Sequence, residues 1–230
     1  MKKHIPNSIT CCNLICGCIA TAFAFGGQPV MALLFIVLGA VFDFFDGMTA
    51  RLLHVSSPIG KELDSLADDV TFGVAPSAMI CYELGVMDYP LFLEPARPVL
   101  PYVAFVMAAF SALRLAKFNL DQRQTTSFIG LPTPANALFW GAIMVGATNT
   151  LERSPWMTLA VLAMVLCSCY LLVSEIPMFA LKFKHWGWAE NKVKYIFILT
   201  AALLLIGFQV VGIALAIAWY VLLSLITNRK

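Results

Sequence analysis

The sequence predicts an all-α polytopic membrane protein of about eight transmembrane helices, and three observations predict it. Hydrophobic residues make up 60% of the 230 and charged residues only 12%, where a soluble domain carries about 25% charged. Several apolar runs approach the roughly 20 residues a helix needs to cross the hydrocarbon core. The basic residues are also segregated along the chain in the way that positive-inside topology requires.

The first apolar run, 8–25, follows Lys2 and Lys3. A basic start and an apolar stretch also mark a signal peptide, but Pro6, Asn7 and Thr10 interrupt the transition and no small-x-small site precedes a soluble region. Met1 to Gly27 is therefore expected to stay as the first helix. The following runs are 30–53, 65–84, 100–118, 133–147 and 156–182. The last, 195–227, is too long for one ordinary crossing, and Gly207 and Gly212 near its middle divide it into two short helices. No strand alternation is long enough for a barrel, no internal repeat is visible and no soluble region separates, so 1–230 reads as one membrane domain.

With the N-terminus cytoplasmic, the inner segments hold Lys2, Lys3, Arg51, Lys61, Arg114, Lys117, Arg123, Lys182, Lys184, Lys192, Lys194, Arg229 and Lys230, and the outer loops only Arg97 and Arg153. Thirteen against two, of 15 basic residues, places both ends in the cytoplasm, as an even number of crossings demands. The net charge of +2 identifies no partner and suggests no nucleic acid. Cys11, Cys12, Cys16, Cys18, Cys167 and Cys169 lie in apolar helices without a histidine cluster and read as small buried hydrophobes.

The informative stretch is 41–70, VFDFFDGMTARLLHVSSPIGKELDSLADDV, which holds six of the 13 acidic residues. A carboxylate at the bilayer centre costs on the order of 2.5–3.5 kcal/mol, and several together repel. Asp43, Asp46, Gly47 and Ala50 share one helical face, and Gly60, Asp64 and Asp68 form a second stripe. Ser56, Ser57 and Pro58 between them are a turn signal that folds the two helices into an antiparallel hairpin, so the acidic faces meet near the membrane surface. Arg51 and Lys61 cannot neutralise four facing carboxylates, whereas divalent cations can. Oxygen-only ligands select hard ions such as Mg²⁺ or Mn²⁺, which keep part of their shell for substrate phosphates. Gly47, Ala50 and Gly60 leave room for something bulky. Glu62 and Asp69 read as solvated helix acids. The residues therefore describe a metal-phosphate site suited to phosphoryl-type transfer. An ion or proton pathway is the rival, although it would spread its carboxylates through the bilayer depth.

These residues resemble the signature of the CDP-alcohol phosphatidyltransferases, D-x2-D-G-x2-A-R-x8-G-x3-D-x3-D, read here as Asp43, Asp46, Gly47, Ala50, Arg51, Gly60, Asp64 and Asp68 with every spacing kept. The resemblance implies that family's helical bundle and two divalent ions, Mg²⁺ or Mn²⁺, held by Asp43, Asp46, Asp64 and Asp68, with Asp68 as general base. It implies that Gly47 and Arg51 contact the CDP-lipid and that Ser57 and Gly60 lie against the nucleotide. Pro6-Asn7-Ser8-Ile9-Thr10 resembles the family's other nucleotide-side element, which adds Thr10 to the CDP-lipid side. A homodimer is implied as well.

Two further stretches resemble the family's serine-using branch: 112–119, ALRLAKFN, and 128–135, FIGLPTPA. Lys117 stands where arginine is usual, keeping the charge but losing the planar two-pronged grip on a carboxylate. Arg114, Lys117 and Asn119 are then the acceptor-binding candidates. The resemblance implies transfer of a phosphatidyl group from CDP-diacylglycerol to L-serine, giving phosphatidylserine and CMP at the cytoplasmic face of a membrane, with a bacterial cytoplasmic membrane as the expected setting. The alternatives are a synthase of the same family using glycerol phosphate, inositol phosphate or an amino alcohol, and an ion-coupled transporter.

Overall fold

The computed structural model describes residues 4–55, 57–120, 128–148, 154–179 and 187–227. Of the residues used above for orientation, Lys2, Lys3, Arg123, Arg153, Lys182, Lys184, Arg229 and Lys230 lie outside these, as does Ser56 of the turn.

Among the described residues the fold is all-α but for one two-residue strand pairing. Helix α1 (His4–Phe25) and helix α2 (Pro29–Leu52) form an antiparallel hairpin. Phe23 stacks on Phe35 at the turn end, with centroids 5.6 Å apart, while Thr10 bonds Asp46 towards the open end. Gly27 makes the turn possible with φ 66°, a region open to glycine at no steric cost, and Pro29 starts α2 where its missing N–H is not needed.

The chain leaves α2 through Leu53 and His54 and enters α3 (Pro58–Asp68) at Ser57. The Ser57 hydroxyl accepts the Gly60 N–H at 3.0 Å, and Pro58 occupies the first helical position. Helix α3 runs without a break through a π-helical turn (Asp69–Val74) into α4 (Ala75–Val86). The expected run 65–84 is thus the inner part of a longer helix that begins at Pro58 and brings Gly60 and Asp64 onto it. Most of α4 is buried, with Ala75, Ala78, Ile80 and Leu84 at the centre of the core beside Ile36, Trp140 and Val165. Two short 3₁₀ turns (Glu94–Ala96 and Leu100–Ala104) lead into α5 (Phe105–Leu120).

Helix α6 (Thr133–Gly146) and helix α7 (Trp156–Val173) complete the core, where the Trp140 indole donates to the Ser168 hydroxyl at 2.9 Å. The expected run 156–182 is corrected here, because the helix ends at Val173. Pro177 disfavours helical backbone at the residue before it, and Pro177–Met178 (β2) pairs antiparallel with Phe128–Ile129 (β1). The Leu131 N–H and the Ser174 hydroxyl donate to the Leu171 carbonyl at 2.9 and 3.0 Å, taking up a helix-end acceptor. Gly130, with φ 75°, lets the chain press against the carbonyls of Leu172 and Ser174.

The last element, α8 (Trp188–Thr227), carries non-helical backbone at Gln209, φ 49° and ψ −122°. The chain reverses there, and the Trp219 indole donates to the Thr200 hydroxyl at 2.9 Å across the resulting hairpin. The expected division of 195–227 is thus made at Gln209. Of the two glycines, Gly212 is the one held close, since a Cβ on it would meet the Leu204 carbonyl and lie 2.9 Å from the Leu205 Cα, whereas Gly207 is open.

Five helical segments among the described residues are long and apolar enough to cross a membrane by length and composition: His4–Phe25, Pro29–Leu52, Leu100–Leu120, Trp156–Val173 and Asn191–Thr227, the last folded back on itself at Gln209. The chain is therefore an all-α membrane protein. Helix α6, with 14 residues, is shorter than these, and the run from Pro58 to Val86 is crossed by charge and by the π turn.

Candidate active site

One end of the bundle gathers the start of α1, the end of α2, the start of α3 and the end of α5. The α1–α2 hairpin and the antiparallel return of α3 account for the first three. The fourth is tied down by the Lys61 ammonium, which donates to the Asn119 carbonyl at 2.8 Å, and by the Asn119 side-chain amide, which donates to the Ser65 hydroxyl at 2.8 Å.

The predicted acidic faces meet. Ligand oxygens of Asp43, Asp64 and Asp68 all lie within 4.8 Å of one another. Asp46 sits one turn further along α2, buried, and its Oδ2 accepts the Thr10 hydroxyl at 2.5 Å. Among the described residues none of these four carboxylates has a basic partner at salt-bridge distance. The Oδ1 of Asp64 is buried without any hydrogen-bond donor. Anionic oxygens converging at this spacing repel one another strongly. A hard divalent cation fits the donor set, because every ligand atom is a carboxylate oxygen and no cysteine or histidine joins them.

In front of the carboxylates lies a cleft of about 260 Å³ between α1, α2 and α3. Asp46 and Asp64 form its acidic wall, Thr10 and Asn7 its α1 side, and Gly47, Ser57, Gly60 and Lys61 line the rest. Gly60 is required for space: a Cβ there would lie 3.0 Å from both the Asn7 amide oxygen and the Ser57 hydroxyl. The exposed Arg51 side chain folds back along α2, its Nε donating to the Gly47 carbonyl at 2.9 Å, so its guanidinium stands beside the cleft. Every residue expected on the CDP-lipid side, namely Thr10, Gly47, Arg51, Ser57 and Gly60, is thus found in or beside this one cleft. Thr10 and Ser57 also have local duties, holding Asp46 and capping α3.

The three acceptor-side candidates part company. Arg114 is buried and turned inwards, with a long 3.4 Å bond from its Nη1 to the Thr133 hydroxyl, and its Nε is buried without a partner. Asp68 and the Tyr220 hydroxyl lie within its electrostatic reach. Lys117 is exposed. Asn119 is engaged with α3 as described. Thr133, which receives Arg114, belongs to the 128–135 stretch, so the two acceptor-side sequences do adjoin.

Two readings need correction or addition. Asp69 is not a solvated acid like the exposed Glu62; it starts the π turn, and its Oδ1 is buried without a partner, close to Ser111 across Gly73. Asn13 was not singled out at all. It is fully buried in α1 one turn after Thr10, and its amide donates to the Asp68 Oδ1 at 3.1 Å. The available signal was a polar residue three after Thr10, carrying the polar start of α1 (Asn7, Ser8, Thr10) into its apolar stretch.

The comparisons agree with this geometry. The family model for CDP-alcohol phosphatidyltransferase matches residues 3–148. A CDP-diacylglycerol–serine O-phosphatidyltransferase of Bacillus subtilis is 39% identical over 185 residues, covering 80% of this chain and 92% of that protein. A protein of the same name from Helicobacter pylori strain J99 is 36% identical over 135 residues, covering 58% of this chain and 54% of its own. Another from Mycobacterium bovis is 32% identical over 182 residues, covering 76% and 60%. The chain thus spans nearly all of the first relative and little more than half of the other two. The family match takes in the whole acidic cleft and more than half of the chain, and the chain belongs to that family.

Proposed function

We propose that this member of the CDP-alcohol phosphatidyltransferase family transfers the phosphatidyl group of CDP-diacylglycerol to the hydroxyl of L-serine, giving phosphatidylserine and CMP. The observation that carries the reading is the meeting of Asp43, Asp64 and Asp68, none of them in a salt bridge among the described residues, behind a cleft flanked by Arg51. The names of the relatives supply the acceptor.

Asp43, Asp46, Asp64 and Asp68 would hold two divalent ions, Mg²⁺ or Mn²⁺, which when bound neutralise the diphosphate and the departing CMP. Thr10 orients Asp46 within this set. Gly47 and Arg51 receive the diphosphate, and the narrow passage at Ser57 and Gly60 receives the nucleotide. Arg114 binds the serine carboxylate, Lys117 gathers the amino acid at the exposed end of α5, and Asn119 keeps α3 and α5 in register around it. Asp68 accepts the proton of the serine hydroxyl as its oxygen forms a bond to the lipid-side phosphorus. The bond from that phosphorus to the CMP oxygen breaks, and CMP leaves as an anion.

In the membrane, the run from Pro58 to Val86, helix α6 and each half of the α8 hairpin join the remaining helices to make eight crossings of one domain, 1–230. Both ends and the acidic cleft then face the cytoplasm, a bacterial cytoplasmic membrane is the setting, and two copies associate. The test is purified protein with radiolabelled CDP-diacylglycerol and Mg²⁺ or Mn²⁺, offered serine, glycerol phosphate, inositol phosphate and ethanolamine in turn. Serine-dependent release of CMP with labelled phosphatidylserine is expected. Release driven equally well by another alcohol, or ion flux in liposomes without any release, would contradict it.

A further inference from the structure

The acidic cleft rests on an amide that no motif named. Asn13 is 0% exposed in the middle of α1, where an uncharged polar side chain needs partners to offset its desolvation. Three contacts hold it. Its side-chain amide donates to the Asp68 Oδ1 at 3.1 Å. Its backbone carbonyl accepts the Thr71 hydroxyl at 3.0 Å, from the π turn directly after Asp68. Its amide oxygen, buried without a hydrogen-bond donor, is packed against Gly39 of α2, where a Cβ would come within 2.9 Å. Gly17, one turn on, admits Thr71, whose backbone would lie 2.8 Å from a Cβ there. Two glycines and a π turn therefore bring α1, α2 and the helix carrying Asp68 together at this one residue. Single π turns recur at functional sites, and this one lets the chain after Asp68 reach back to α1.

We infer that Asn13 is the positioning residue for Asp68, fixing the carboxylate so that one oxygen is held and the other is free to take a proton. This rests on the reading of Asp68 as the general base. The chemistry of the donor supports the assignment. A lysine or arginine in its place would pair with Asp68 and remove its basicity, and an acid would add to the repulsion. A neutral amide orients one oxygen and leaves the charge where it is needed. Proton acceptance depends on such orientation, and residues that orient a ligand from behind typically matter 10–100-fold.

The test compares Asn13→Leu, similar in shape but without the donor, with Asp68→Asn and wild type. Asn13→Leu is expected to lower kcat about 10–100-fold. KM for serine and for CDP-diacylglycerol should stay within about threefold and Tm should be retained, while Mn²⁺ affinity measured by electron paramagnetic resonance without substrates weakens about tenfold. Unchanged kcat and Mn²⁺ affinity would overturn the role, as would a fall in kcat matched by equal rises in both KM values and a lowered Tm, which marks general loss of packing. Should Asn13→Leu fail to fold, Thr71→Val removes only the clasp on the Asn13 carbonyl; a kcat loss of about threefold with both KM values unchanged is expected, and no loss would overturn the role. An active Asp68→Asn would instead sink the general-base reading itself. An inactive Asp68→Asn beside a fully active Asn13→Leu would sink the positioning role alone.

Discussion

The two ends of this bundle treat charge in opposite ways. At the end away from the cleft, several polar groups have protein partners. Arg97 pairs with Glu94 at 2.9 Å, donates to the Met87 carbonyl and lies over the Tyr89 ring. Tyr89 donates to the Leu84 carbonyl at 2.8 Å, and Thr158 donates to the Asp88 carbonyl at 2.7 Å. At the acidic end, three carboxylates converge with no basic partner among the described residues, and Arg51 bonds to a backbone carbonyl instead. Both ends are built from the same helices in the same membrane. Converging carboxylates without salt-bridge partners among the described residues suit the acidic, open end to binding a cation. That end coincides with the family motif, and the closed end does not.

The sharpest way to break the contrast is to remove a carboxylate from the open end. Asp64→Asn should lower kcat by about 10³-fold, as loss of an electrostatic catalytic group does. Because the substitution relieves repulsion in metal-free protein, Tm in chelator should rise by roughly 2–4 °C, the shift about 1 kcal/mol produces in a chain of this size. Differential scanning fluorimetry beside a CMP-release assay reads both, and a fall in both together would erase the contrast. At the closed end, Gly27→Ala puts a Cβ at φ 66° and against the Tyr82 ring. It should cost about 1–3 kcal/mol of stability while leaving activity per folded molecule unchanged. Arg97→Ala breaks a pair whose side chains are 39% and 46% exposed. It should change stability by less than about 1 kcal/mol and leave turnover alone.

The open end was legible in the sequence because its chemistry is local. Asp43 to Asp68 carry their meaning in spacing along two adjacent helices, and the Ser57–Pro58 start of α3 follows from capping chemistry that acts over three residues. The family resemblance then pointed to roles that spacing alone left open. What stayed hidden was set by contacts distant in sequence. Asn13 meets Asp68 across 55 residues, so nothing beside it on α1 announces a partner. Arg114 and Lys117 look equivalent on α5, and only the packing of the folded bundle separates the buried one from the exposed one. The end of α7 at Val173 depends on a pairing with Phe128–Ile129, over 40 residues upstream. The reversal in α8 was readable as excess length, but its position at Gln209 was not, since glycine content favoured its neighbours.

The central claim is that the carboxylates of α2 and α3 together hold cations for a lipid-linked diphosphate. Crystals grown with Mn²⁺ and CDP-diacylglycerol, measured at the manganese edge, test it most directly. The account predicts anomalous density among the oxygens of Asp43, Asp64 and Asp68, with the diphosphate beside it on the Gly47 side. Manganese bound elsewhere, with those three carboxylates bare, would contradict it.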